Sequence, residues 1–175
     1  MGKDSQSSLV REFSAGGVVF KRHDGQVLWL VTKVGLSSRI PNPDTWRLPK
    51  GWLDDAGKGI PGPLARGKVK AKKEDLQNAA LKEVREEGGV DAKILDKIGT
   101  TRFIFTWEGK KILKFVTFYL MEWTRDLPEG TDYETSEVAW LSFETARKRL
   151  THSTEKGVLD KAGKLLELGI QESLV

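Results

Sequence analysis

The sequence predicts an α/β fold: a single α/β/α sandwich built on a mixed β-sheet. Three observations predict it. Runs of β-forming and helix-forming residues are interspersed along the chain, which places helices against a sheet. The β-rich runs come in pairs joined by short turns, so the sheet contains hairpins and is not purely parallel. The 175 residues show no internal repeat and no linker, and that length buries one real core.

Residues 1–12 read as a flexible polar tail, with the domain occupying 13–175. MGKDSQSSLV lacks the apolar stretch of a secretory signal. Its Met-Gly start departs from a myristoylation signal because Gln6 stands where Ser or Thr is required. No apolar run reaches the roughly 18 residues of a membrane span. These features describe a cytoplasmic protein with no membrane partner.

Ser14 to Lys21 and Gln26 to Lys33 are β-rich and flank Asp24-Gly25, which predicts a hairpin. Ile40 to Asp44 reads as a loop, and Thr45 to Pro49 as a brief strand ending at Lys50-Gly51. Trp52 to Lys73 is Gly-, Pro- and Lys-rich without periodicity, an exposed loop. Asp75 to Glu87 is the clearest helix, with Asp75 as N-cap and Gly88-Gly89 as the stop. Ile94 to Trp107 and Lys111 to Trp123 form two long β-rich runs about a turn at residues 108–110. Both faces of the second are apolar, so it belongs inside a covered sheet. Val138 to Leu141 is a last strand; Phe143 to Leu150 and Thr154 to Leu168 are helical.

Composition restricts the chemistry. There is no cysteine, which removes disulfides, thiolate metal sites and a cysteine nucleophile. Only His23 and His152 are present, far apart, so a histidine metal site is excluded as well. The net charge of +4 is concentrated: residues 54–73 hold six basic residues (Lys58, Arg66, Lys68, Lys70, Lys72, Lys73) against Asp54 and Asp55. A local basic loop of this kind suits a polyanionic ligand better than a general nucleic-acid coat.

The helix carries the functional signal. At about 100° per residue, Leu76, Ala79, Ala80 and Val84 define an inward arc, with Glu83, Glu86 and Glu87 on or beside it. Asn78, Lys82 and Arg85 fall on the outward side. Clustered acids repel one another, and acids in the last turn oppose the helix dipole. A bound divalent cation converts that repulsion into coordination. Oxygen donors without His or Cys select magnesium (Mg2+), with manganese (Mn2+) as a substitute.

These residues resemble the Nudix box, G-x5-E-x7-R-E-U-x-E-E-x-G-U with U aliphatic. Glu83, Val84, Glu86, Glu87, Gly89 and Val90 match in register, and Glu74 falls at the isolated glutamate. LPKG, residues 48–51, is similar to the segment carrying the first glycine. SAGGVVF and SEVAWLSFETARKRL resemble the family's first strand and its closing strand and helix, so the likeness runs from Phe13 to Leu168. Two departures stand out. Lys82 replaces the box arginine and lacks its planar fork. Between Gly51 and Glu74 there are 22 residues where the box has 5, an insertion of 17 that contains the basic cluster.

The resemblance implies hydrolysis of a nucleoside diphosphate linked to another group. Glu83 and Glu86 would be catalytic, Glu83 as base or water-orienting group. Gly51 (through its carbonyl), Glu83, Glu86 and Glu87 would hold the metal. Glu74, Lys82 and Glu134 would support that set or lie at its margin. A further acid before the last strand is expected from Glu134 in preference to Glu137. Lys50 would contact phosphate and Phe118 would stack on a base. W-x-L-P-K-G and the closing segments look most like dinucleoside polyphosphate hydrolases of the MutT-like type, with diadenosine tetraphosphate as substrate. Alternatives are oxidised nucleoside triphosphates, diphosphoinositol polyphosphates and the 5′ triphosphate end of RNA, the one nucleic-acid partner expected. A reading of another class is a silent Nudix-like module that binds nucleotide or RNA.

Overall fold

The computed structural model describes residues 9–35, 42–57 and 59–173. Residues 1–8 of the expected tail, the start of the 40–44 loop and Lys58 lie outside the described residues. The strands are β1 (Val10–His23), β2 (Gln26–Val34), β3 (Trp46–Arg47), β4 (Lys50–Trp52), β5 (Val90–Trp107), β6 (Lys110–Asp126) and β7 (Thr135–Leu141). The helices are α1 (Lys73–Gly88), α2 (Phe143–Arg149) and α3 (Ser153–Ser173).

Two antiparallel hairpins, β1–β2 and β5–β6, are fused by parallel pairing of β1 with β6. β3 and β7 both pair with β2, and β4 pairs with β1. The hairpins turn at Asp24-Gly25 and Glu108-Gly109, where both residues of each turn adopt positive φ (48° and 74°, 47° and 73°). Such turns match the twist of the flanking strands. β6 lies between β1 and β5, which accounts for the apolar character of both its faces.

The two sides of the sheet carry separate cores. On one, Ala79, Ala80 and Val84 of α1 meet Ala15, Val19, Leu30, Tyr119 and Met121. On the other, Ala146 of α2 and Val158, Leu159 and Ala162 of α3 meet Val18, Phe20, Trp29, Val31 and Phe118. Alternation along β1 divides its residues between the two layers.

Several boundaries differ from the sequence expectation. β1 begins at Val10, inside the expected tail, because Val10–Glu12 pair with Ile112–Lys114 of β6. β5 starts at Val90, directly after the helix. α3 continues to Ser173. Asp75 is not the N-cap: α1 starts at Lys73, and the Asp75 carboxylate reaches back to accept the Lys72 N–H at 2.7 Å. The predicted stop holds, with Gly89 in the left-handed conformation (φ 68°).

The long insertion is folded onto the sheet. The Asp54 carboxylate accepts the N–H groups of Leu64 (3.0 Å) and Ala65 (2.7 Å), and the Phe13 N–H donates to the Ala65 carbonyl at 2.7 Å. Ala65 is fully buried. A stretch that reads as solvent-exposed is pinned at both its first acid and its middle.

Candidate active site

α1 delivers its acids as helical geometry requires. Asn78, Lys82 and Arg85 are exposed, while Glu83 and Glu87 are buried to 8% and 1% residual exposure. Glu86 sits at the rim; its side chain is 41% exposed and lies 3.5 Å from Lys82 Nζ. Lys82 thus pairs with Glu86 and points outward.

β4 crosses directly over Glu83. A Cβ built on Gly51 would overlap the Glu83 carboxyl group, so only glycine lets strand and helix approach this closely. Burial pushes the Glu83 carboxyl up to about 8; the neighbouring Glu87 and Glu86 carboxylates add to the rise, Lys82 opposes it, and Glu134 adds to it again.

Glu87 has specific partners. Arg47 Nη2 donates to its Oε1 at 2.5 Å, and the Lys50 N–H donates to its Oε2 at 3.0 Å. Burial raises the Glu87 carboxyl, and Arg47 and the Lys50 amide work against that rise. Glu87 therefore ties the 47–50 turn to the helix, beyond the metal contact expected for it.

Glu134 arrives from the loop between β6 and β7. That loop is anchored on α1 by the Asp132 N–H to the Glu86 carbonyl (2.7 Å), and on β2 by the Gly35 N–H to the Glu134 carbonyl (2.7 Å). Burial raises the Glu134 carboxyl, followed by the Asp132 charge; Arg47 lowers it and Glu86 raises it. Glu137 is exposed on β7 opposite Lys33 and takes no part in this group.

Three expected site residues are elsewhere. Lys50 is buried (7% exposed), with Nζ 3.4 Å from Glu155 Oε1 on α3. It braces the turn from behind and does not face a phosphate. Phe118 is packed in the α2–α3 core, with no face left for a base. Glu74 is exposed in the first turn of α1, about 13 Å along the axis from Glu83, where it favours the helix dipole.

Two residues were missed from the sequence. Arg47 stands in a two-residue strand, too short to show periodicity. Glu155 looks like any acid in a helix's first turn, yet it is 4% exposed and accepts the Leu48 N–H at 2.7 Å as well as facing Lys50.

Among the described residues, no three acids stand close enough to form a finished coordination shell. Glu87 is turned to Arg47 and Glu86 to Lys82. The donor chemistry nonetheless fits a hard divalent cation: Glu83, Glu86 and Glu134 are oxygen donors whose mutual repulsion such an ion relieves. Freeing Glu86 requires only that an exposed lysine contact open, which costs little.

The fold and this carboxylate group define a Nudix protein: the NUDIX domain model matches residues 11–161, and the chain belongs to that family. Nudix hydrolases generally use divalent metal ions. A Mycobacterium tuberculosis (strain CDC 1551 / Oshkosh) protein carrying the mutator-protein name MutT4 is 28% identical over 162 residues, 90% of this chain. The chain spans 57% of that relative's length. Among solved structures, a binary complex of the C. elegans Ap4A hydrolase is similar with a TM-score of 0.58 at 19% identity, covering 89% of this chain and 98% of that one. The NUDIX domain of Shewanella oneidensis NrtR, complexed with ADP ribose, gives 0.62 at 15% identity, covering 94% of each chain. These likenesses establish the fold. Among the described residues no helix is long and apolar enough to cross a membrane.

Proposed function

We propose that the protein is a magnesium-dependent hydrolase of a nucleoside diphosphate linked to a second group, with a dinucleoside polyphosphate such as diadenosine tetraphosphate as its substrate. The observation that carries this reading is Glu83, buried against Gly51 with Glu86, Glu87 and Glu134 acting on its charge. A buried cluster of like charges at the matched box positions is costly as a purely structural arrangement. The substrate preference rests on the W-x-L-P-K-G segment, and the C. elegans hydrolase named for Ap4A has the same fold.

Glu83, Glu86, Glu134 and the Gly51 carbonyl would hold the ion, with manganese as an alternative. When bound, it would neutralise phosphate charge and acidify a water. Glu83, under Gly51, accepts the proton of the attacking water at a carboxylate oxygen once ionised. Glu86, which lies beside Lys82, would supply one of the oxygen donors. Glu87, held by Arg47 and the Lys50 amide, keeps Gly51 in place over Glu83. Lys82 screens the outer side of the cluster.

A second reading, a nucleotide-binding module without turnover, draws on the ADP ribose complex of the NrtR domain. Incubating the protein with a panel of dinucleoside polyphosphates, oxidised nucleoside triphosphates, diphosphoinositol polyphosphates and triphosphate-ended RNA, with magnesium, separates the two. Release of nucleotide or phosphate that disappears in Glu86→Gln supports the hydrolase. Tight binding without any product, in every case, selects the module.

A further inference from the structure

At the other end of α1 from Glu86 and Glu87, the insertion and the sheet enclose a cavity of about 360 Å³. That volume lies within the range of small-molecule sites, roughly 300–1,000 Å³. Leu76 forms its helical wall, two turns and roughly 10 Å along the axis from Glu83. The cavity is a property of this chain rather than of the box, since its outer wall is the insertion, which contributes Lys70 and Ala71.

The lining has three chemical parts. Phe13 of β1 and Phe115 of β6 are stacked, with centroids 5.1 Å apart and planes 13° from parallel, and both are only partly buried. Beside them Thr100 Oγ1 and Thr117 Oγ1 are 2.8 Å apart. Such a pair shares one hydrogen and keeps one O–H donor and oxygen lone pairs for a further partner. The insertion supplies the one cation of the lining, Lys70, from a segment (residues 59–73) that also carries Arg66, Lys68, Lys72 and Lys73 without one acid. All five cations are exposed, and Lys70 lines the cavity itself.

We propose that this cavity is a second nucleotide site, distinct from the carboxylate centre, taking the base of a nucleoside monophosphate against Phe13 and Phe115 with the phosphate at Lys70. Aromatic side chains stack on a base of any identity, and the hydroxyl pair suits the mixed donor and acceptor edge of a base. An uncharged apolar guest would make no use of Lys70 or of the basic segment that carries it. A polyanion without a ring would leave the aromatic floor unfilled.

Isothermal titration with adenosine 5′-monophosphate in EDTA tests the site, with inorganic phosphate and adenosine as separate probes. The monophosphate is expected to bind more tightly than either fragment. Lys70→Glu, at an exposed position, should weaken it about tenfold by reversing the nearby charge. Ala71→Phe, which fills the cavity, should abolish it. Both variants should keep kcat and KM for the hydrolysed nucleotide within about twofold, as residues remote from the chemistry do. Should Ala71→Phe unfold by circular dichroism, Lys70→Glu decides. Absence of monophosphate binding, or binding indifferent to both variants, overturns the proposal. So does a rise in KM that parallels the loss of binding, which would make the cavity part of the substrate site. The titration needs no turnover, so it stands or falls apart from the hydrolase reading.

Discussion

Arg47 Nη2 stands 2.5 Å from Glu87 Oε1, joining a two-residue strand to the last turn of α1 between side chains only 11% and 1% exposed. Removing one member of a buried pair strands the other charge, which costs about 3–5 kcal/mol. Arg47→Ala is therefore expected to lower the unfolding free energy by that order, read as a fall in the urea midpoint. The double variant Arg47→Ala, Glu87→Gln should recover part of the loss. A single-variant loss below about 1 kcal/mol, as for an exposed pair, would show that the contact is not a brace.

Glu86 presents the opposite balance. It is half-buried, and its ion pair is with an exposed lysine. Glu86→Gln should leave the melting temperature nearly unchanged and reduce kcat by at least about a hundredfold, as loss of a positioned catalytic group does. Steady-state kinetics beside differential scanning calorimetry reads both. Unimpaired turnover would remove Glu86 from the metal site.

The two loop acids near β7 separate in the same assay. Glu134 is coupled to Glu83, Glu86 and Glu87, whereas Glu137 lies out on the strand. Glu134→Gln should raise the magnesium concentration needed for half-maximal activity about tenfold, the scale of a lost ligand or supporting group. Glu137→Gln should leave it where it was. Equal effects would mean that neither acid acts on the ion.

Metal-free protein should lose stability as pH rises. Glu83 titrates near 8 in the fold against an ordinary 4.5, so the folded state binds the extra proton between those values. The contribution of this group to stability is complete below pH 4.5 and is lost as pH rises through 8, by an amount on the order of a few kcal/mol. Raised carboxyls at Glu87 and Glu134 act in the same direction. Urea melts in EDTA between pH 5 and 8 measure the slope, which Glu83→Gln should flatten. Magnesium should flatten it too, because an ion stabilises the ionised carboxylates. A slope unchanged by both would show that Glu83 is not the group responsible.

Helical periodicity in residues 75–87 determined which acids turn inward, because 3.6 residues per turn leaves little choice once Ala79, Ala80 and Val84 are buried. The hairpin turns were equally legible, Asp24-Gly25 from residue types that suit positive φ and Glu108-Gly109 from its glycine. The LPKG segment pointed to Gly51, although the insertion breaks the box spacing at that point. What sequence could not decide was which long-range partner each charged side chain finds. Lys50 looks like a phosphate contact until α3 brings Glu155 against it, and Phe118 like a stacking ring until α2 and α3 close over it. Arg47 and Glu87 lie 40 residues apart, and nothing local pairs them. The insertion reads as solvent-exposed chain because its anchor, Asp54, works through backbone amides ten and eleven residues on. Local pattern fixes the direction a side chain takes from its own helix or strand; what it meets there depends on elements packed from elsewhere in the chain, and only the tertiary structure supplies them.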